Sequence, residues 1–139
     1  MKLTNYKIDR NNRQWYHFDA STMVFGRLCS QSAKILMGKT KPAYTPLFDS
    51  GDYVVITNAS QVKLTGFKIE QKEYYHHTGY LGNMKTKSMK ELLAKNPDKL
   101  FRNAIRLMLP KTPQGRKCLK KLRVYAGSEH PHVNAEFVK

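Results

Sequence analysis

Apolar and polar positions recur along this chain with changing periods, and each change marks an element. From Trp15 to Ala20 (WYHFDA), an aromatic-rich run bounded by Asp19 and Ser21 predicts a strand followed by a helix-starting turn. Phe25, Leu28, Cys29, Ser32, Ala33 and Leu36 then recur at steps of three and four. That spacing predicts a helix with one small or apolar face, with Arg27, Gln31 and Lys34 elsewhere and Gly38 as its stop. Tyr53 to Thr57 (YVVIT) is β-branched and does not alternate, as expected of a strand covered on both faces in a parallel sheet. Strand, helix and buried strand make a βαβ unit. Between helix and second strand, Gly38 to Asp52 carries two prolines, two glycines and two lysines, so a long basic crossover loop is expected there.

The second half changes register more often. Val62, Leu64, Phe67 and Ile69 alternate with polar residues and predict a strand broken near Thr65 and Gly66, followed by an extended Lys72 to Thr78, the two pairing as an edge hairpin. Ser88 with Glu91 forms a capping box for a helix carrying Met89, Leu92 and Leu93, which Asn96 and Pro97 end, and Asp98 is expected to cap the next. Phe101, Ala104, Ile105 and Met108 give that helix its core face until Pro110. Thr112 and Pro113 suit the N-cap and first position of a third helix with a stripe of Cys118, Leu119 and Leu122, and Arg123 to Ala126 closes as a strand. No repeat or change of composition divides the chain. The expected organisation is a polar arm (1–14), one α/β domain (15–132) and a short tail (133–139).

With 139 residues and 40% apolar content, the chain can bury a core, which argues against a wholly disordered basic protein. Charge is the unusual property: 25 Lys or Arg face 10 acids, for a formal net charge of +15. The window from Lys85 to Arg123 holds 13 cations against only Glu91 and Asp98, so +11 arises in under a third of the chain. Such concentration points to a polyanionic partner. Cys29 and Cys118 lie on apolar helix faces without Cys-x-x-Cys spacing, offering neither a disulfide framework nor a zinc site, so a reducing, intracellular compartment is expected. No run reaches the approximately 18 apolar residues of a membrane span, and the leader MKLTNYKIDRNNRQ lacks the apolar middle of a secretory signal.

On a helix, Arg116, Lys117, Lys120 and Lys121 share one arc and Cys118, Leu119 and Leu122 take the other. A solvated surface is the ordinary fate of a charge run, yet no acid occurs from Lys99 to Tyr125, which favours phosphate binding. The narrow apolar stripe lacks Trp and Phe, which disfavours a membrane surface. Lys111 sits in a loop stiffened by Pro110 and Pro113, so it loses little entropy on meeting RNA. Tyr74, Tyr75, His76, His77, Thr78 and Tyr80 precede Lys85 and Lys87, a mixture of rings and cations suited to unpaired bases, sugars and phosphates. One Tyr and one His of that group are expected to face the core.

On a strand, His76 and His77 point apart and cannot share a metal, and no carboxylate or Cys pattern completes a shell around His130 and His132. Asp49 and Asp52 beside Gly51 form a possible carboxylate pair that turn and cap duties explain equally well. No metal, cofactor, small-molecule substrate or catalytic residue is expected. Two competing readings remain: an RNA-processing enzyme using His76 or His77 as general base, and a DNA-packaging protein.

Taken in order, WYHFDA with GRL at Gly26 to Leu28, GKTKPAYTP, SGDYVVITNAS, KLTGFK, YYHHTG, MLPKTPQGR and KLRVYAGSEHPH strongly resemble the universal large-subunit ribosomal protein of the L-thirteen family, bacterial or organellar. The resemblance implies a single three-layer α/β/α domain with a mainly parallel four-stranded sheet and basic loop extensions. It implies binding to large-subunit ribosomal RNA beside neighbouring large-subunit proteins, a part in early subunit assembly, and no catalysis. The family's RNA-facing regions correspond to Lys39, Lys41 and Tyr44, to Tyr75, His76, His77, Thr78 and Gly79, and to Lys111, Gly115 and Arg116. A bacterial cytoplasmic ribosome is the expected location, with an organellar ribosome as the alternative. The chain departs from the family at Gly82-Asn83, where a second glycine is usual, and at Thr112, where a glycine precedes the proline. It also lacks the longer Gln- and Pro-containing tail of many members.

Overall fold

The computed structural model describes residues 13–42, 44–132 and 137–138. Its centre is a four-stranded sheet in the order β5-β2-β1-β6, formed by β1 (Trp15–Asp19), β2 (Tyr53–Thr57), β5 (Leu122–Val124) and β6 (Phe137–Val138). Every neighbouring pair is parallel. The register puts Tyr16, Phe18, Val54, Ile56, Leu122 and Val124 on one face, where all six join the main core. The α/β reading and its parallel four-stranded sheet are therefore present. The sheet also draws on the expected arm and tail, since the Tyr53 amide donates to Gln14 O at 3.0 Å and Phe137 pairs with Trp15. The rest of the arm, residues 1–12, lies outside the described residues.

Helix α1 (Phe25–Met37) buries Phe25, Leu28, Cys29, Ser32, Ala33 and Leu36, the face its spacing predicted, together with Ile35. Gly38 closes it in the left-handed conformation at φ 79°, its amide donating to Ile35 O at 2.9 Å. Against α1 packs α4 (Pro97–Met108), where the Phe25 and Phe101 rings meet edge to face at 5.0 Å. Helices α3 (Met89–Lys95) and α5 (Pro113–Leu119) flank α4. Leu28, Leu36, Leu100 and Ile105 have no exposed surface, and each such side chain stabilises the fold by about 2 kcal/mol relative to exposure.

Several expectations change. The alternation through Val62 to Ile69 does not form a strand. Ala59–Gln61 is a 3-10 turn, Lys63 makes one isolated bridge to Val24, and Lys68–Gln71 is the short helix α2. Val62 and Leu64 are taken up by the core, while Phe67 and Ile69 are 74% and 41% exposed, so the alternating residues never share a buried face. The extended segment, β3 (Glu73–His77), pairs instead with β4 (Met84–Ser88), antiparallel and in its own two-stranded sheet. Asn96 occupies the N-cap position of α4 and Pro97 its first turn, so Asp98 is no cap; it pairs with Arg102 at 2.8 Å. Met108 is 43% exposed, while Leu100 and Leu109 are buried in the core.

The opposite face of the sheet carries Trp15, His17, Tyr53, Val55 and Thr57, partly covered by rings that follow β5. Trp15 stacks on Tyr53 at 4.4 Å and approaches His132 at 5.0 Å, while His17 lies 5.6 Å from His130 and 5.4 Å from Phe137. His17 Nε2 meets Thr57 Oγ1 at 3.0 Å, and His132 Nε2 meets the Tyr125 hydroxyl at 2.9 Å. Burial and the neighbouring His130 lower the His17 pKa against a smaller opposing pull from Asp19. Burial, Arg123 and His130 lower that of His132.

Both imidazoles take up a proton less readily in the folded chain than in the unfolded one, where the value is about 6.5. Their contribution to stability is complete above that value and is lost as pH falls through the depressed folded values. The expected outcome is a melting temperature that drops as pH is lowered from about 7 to about 5, with a smaller drop in His17→Asn/His132→Asn. Equal drops in both proteins would remove the histidines from the account.

Candidate nucleic-acid interface

The β3–β4 hairpin sorts its side chains by strand alternation. Tyr74 pairs with Lys87 and His76 with Lys85, so these four share one face, while Tyr75, Thr86, His77 and Met84 share the other. His76 and His77 do point apart, as the sequence requires. Both are exposed, and Tyr74 alone of β3 is half-buried, so the expected inward histidine is absent; His76 shares the face of Tyr74 but lies further along the hairpin, over the groove. At the base of the hairpin Met89 N donates to Lys72 O at 2.8 Å, and Ser88 Oγ accepts from Glu91 N at 3.2 Å, which fixes α3 to β4.

The face bearing His76, Lys85 and Lys87 looks across a groove of ≈ 500 Å³ toward Lys99, Asn103 and Arg106 of α4. Those three α4 residues were not singled out from the sequence. Their steps of four and three put them on one side of the helix, in an acid-free stretch, and that signal was available. A second groove of ≈ 360 Å³ lies between Arg106, Lys111 and Arg116. Arg106 lines both, joining hairpin, basic loop and α5 into one surface, and neither lining contains a carboxylate.

The loop shape depends on Gly115. Its amide donates to Thr112 Oγ1 at 3.3 Å, and a Cβ there would stand 1.9 Å from Pro110 O. Gly115 is buried, so it shapes the loop from beneath, and it lines the floor of the second groove. Lys111, Arg116, Lys117 and Lys120 are exposed, as are Lys39, Thr78 and Gly79.

Two expected cations are turned inward. Helix α5 stops at Leu119 and Lys120 is its C-cap, so the helical arc ends before Lys121. Lys121 is 4% exposed, and its Nζ donates to Asp49 and, at 3.2 Å, to Leu36 O. Asp49 also accepts from Arg13 at 3.1 Å. Lys41 donates to Asp52, whose side chain is fully buried and whose same Oδ1 accepts from Gln14 N at 3.0 Å. Lys41 and Lys121 therefore serve as internal counterions, with Asp49 and Asp52 as partners of cations rather than a carboxylate pair. Gly51, between those acids, lies so close to α1 that a Cβ would stand 1.8 Å from Leu36 O. Tyr44 is half-buried, and Lys39, Lys41 and Tyr44 line neither groove.

Among the described residues no three His, Cys, Asp or Glu side chains stand together as a metal site. Both cysteines are buried and free, and burial pushes the Cys29 thiol up to about 12, which keeps it protonated and unreactive near neutral pH. His77 Nδ1 accepts from Gly79 N at 3.0 Å, so the turn already uses the lone pair that a general base would need there.

These features define a small α/β domain with an exposed cationic surface. The family described as "Ribosomal protein L13" matches residues 13–131. The chain is 53% identical over 133 residues to "Large ribosomal subunit protein uL13" of Helicobacter hepaticus, covering 95% of this chain and 94% of that protein. It is 56% identical over 127 residues to the protein of the same name from Wolinella succinogenes, with 91% of each covered. The like-named protein of Thermotoga maritima is 52% identical over 131 residues, 94% of this chain and 88% of that one. The chain belongs to the ribosomal protein L13 family, whose members are structural proteins of the ribosome and not enzymes.

The division between inward and outward cations is open to a stability measurement. Lys121→Ala removes a buried partner of Asp49 and is expected to cost about 3 kcal/mol in urea unfolding. Lys120→Ala, one residue earlier and closer to solvent, is expected to change stability by no more than about 0.5 kcal/mol. Equal effects would contradict the assignment.

Proposed function

We propose that this chain is a structural constituent of the large ribosomal subunit. It binds ribosomal RNA along the surface running from the hairpin across α4 to α5, and it supports early subunit assembly. The observation that carries this reading is Arg106, which lines two adjoining grooves whose cations have no carboxylate beside them. Phosphates supply the missing countercharge. Lys85, Lys87, Lys99, Arg106, Lys111 and Arg116 are the principal contacts, with Lys117 and Lys120 alongside and Lys39 on a separate loop. Folded RNA fits better than duplex DNA, because the surface is grooved and draws its cations from a hairpin, a loop and two helices rather than from one helix laid in a duplex groove.

The relatives' names place them in the large subunit, and they are bacterial, which supports a bacterial ribosome in the cytoplasm with other large-subunit proteins as neighbours. Large-subunit cores depleted of this protein provide the test. Rebinding of Arg106→Glu/Arg116→Glu is expected to be weaker by about a hundredfold, and the dependence of log affinity on log salt shallower by about one for each phosphate no longer bound. A folded double variant that rebinds with unchanged affinity and slope would overturn the reading.

A further inference from the structure

A third groove, of ≈ 280 Å³, lies between the start of α1, the turn at Leu64 and Thr65 that leads into α2, and the last turn of α4. Phe25, Leu64, Met89, Leu107 and Met108 line it, with Lys68 and Lys72 as its cations and no carboxylate. Leu107 is 69% exposed, and Phe67 and Ile69, on either side of Lys68 in the chain, are exposed as well. Apolar side chains gathered at one opening mark a contact surface, as singly scattered ones do not. Pockets for drug-sized molecules run from about 300 to 1,000 Å³, so the scale here is that of a side chain or two.

The α1 end of the groove is open in a way that packing does not explain. A Cβ on Gly26 would meet no atom within 4 Å, and its φ is not positive. Alanine would serve the helix better, whereas glycine leaves bare backbone beside the groove. Val24, the N-cap, supplies no side-chain hydrogen bond, and the first turn holds no acid. The Phe25 amide donates to Lys63 O at 3.0 Å, but those of Gly26 and Arg27 have no partner among the described residues. Lys68 Nζ is held by Thr65 Oγ1 at 3.3 Å, and Lys72 lies over the Tyr74 ring at 5.4 Å. A positive helix end and two positioned cations thus stand around an apolar floor.

We propose that this groove docks a segment of a neighbouring large-subunit protein in which one or two apolar side chains sit beside an Asp or Glu carboxylate. The inference rests on the reading that the chain works in the large subunit, and it adds a protein contact to the RNA surface. Charge complementarity selects the occupant. The carboxylate meets Lys68, Lys72 and the free amides, while its apolar neighbours cover Phe25, Leu64 and Leu107. RNA suits this floor poorly, because every nucleotide brings a phosphate that apolar side chains strip of water without replacing its hydrogen bonds. A second copy of this chain brings +15 of like charge. Leu107 also lines both cationic grooves, so the docked segment lies at the border of the RNA surface.

Rebinding to naked large-subunit RNA and to depleted cores that retain the other proteins separates this contact from RNA binding. Gly26→Leu fills the bare helix edge. It is expected to bind naked RNA as the wild type does and to lose about tenfold in affinity for the protein-bearing cores. Lys68→Gln, at an exposed position that leaves the fold intact, is expected to show the same selective loss at about threefold. A benzophenone side chain placed at Met108 is expected to crosslink, on irradiation of the assembled subunit, to a large-subunit protein at a stretch carrying Asp or Glu beside apolar residues. Affinities of the folded variants that stay at the wild-type level, or that fall equally on naked RNA and on cores, overturn the inference. Crosslinks to nucleotides alone, to a stretch without a carboxylate, or to nothing overturn it as well. Arg106→Glu/Arg116→Glu weakens binding to both naked RNA and cores, and so scores the RNA reading separately.

Discussion

Asp49 and Asp52 are the interior countercharges around which the rest of this cationic chain is arranged. With 25 Lys or Arg and 10 acids in the sequence, like-charge repulsion opposes compaction, and any cation forced inside needs a carboxylate within reach. Asp49 binds Lys121 and Arg13, and Asp52 binds Lys41 and the Gln14 amide. Those contacts tie the approach to β1, the crossover loop, and the junction between α5 and β5. Gly51 between them allows the loop to lie against the end of α1. Two side chains thus anchor three separate stretches of chain to the edge of the core.

Once those cations are neutralised, the others face outward with few partners. Among the described residues the remaining ion pair joins Asp98 to Arg102 on α4. The hairpin, α4, the Pro110–Pro113 loop and α5 then present Lys and Arg side chains from rigid elements around two connected grooves. Rigid presentation matters because folding has already met the entropy of ordering the backbone that carries the cations, leaving only their side chains to be ordered on binding. Fold and site are therefore one arrangement: the packing of α3 and α4 against the core also places the hairpin opposite Arg106.

The elements with a strong period were readable in the sequence, and the buried face of α1 followed directly from its three-four spacing. The parallel strand at Tyr53–Thr57 was readable because buried strands are uniformly β-branched. Strand β4 was not readable: MKTKS lies on an exposed hairpin with no core to impose alternation. Val62 to Ile69 misled for the converse reason, since alternation predicts a strand only where a pairing partner exists. At the site, the outward Lys111, Arg116, Lys117 and Lys120 were legible from charge alone. Lys121 was not, because its fate depends on Asp49, 72 positions earlier in the chain, and on where the helix stops. Arg106 could have been placed with Lys99 and Asn103 from their helical spacing, but its position between two grooves depends on packing that the sequence does not display.

The central claim is that the outward cations lack countercharges while the inward ones have them. The melting temperature of the isolated protein in KCl tests this directly. Raising the salt from about 20 mM to about 300 mM shortens the screening length from about 20 Å to about 6 Å, which relieves surface repulsion and affects buried pairs much less. The melting temperature is therefore expected to rise. A melting temperature that stays level or falls over that range would show that the surface charge is already balanced, and would contradict the account.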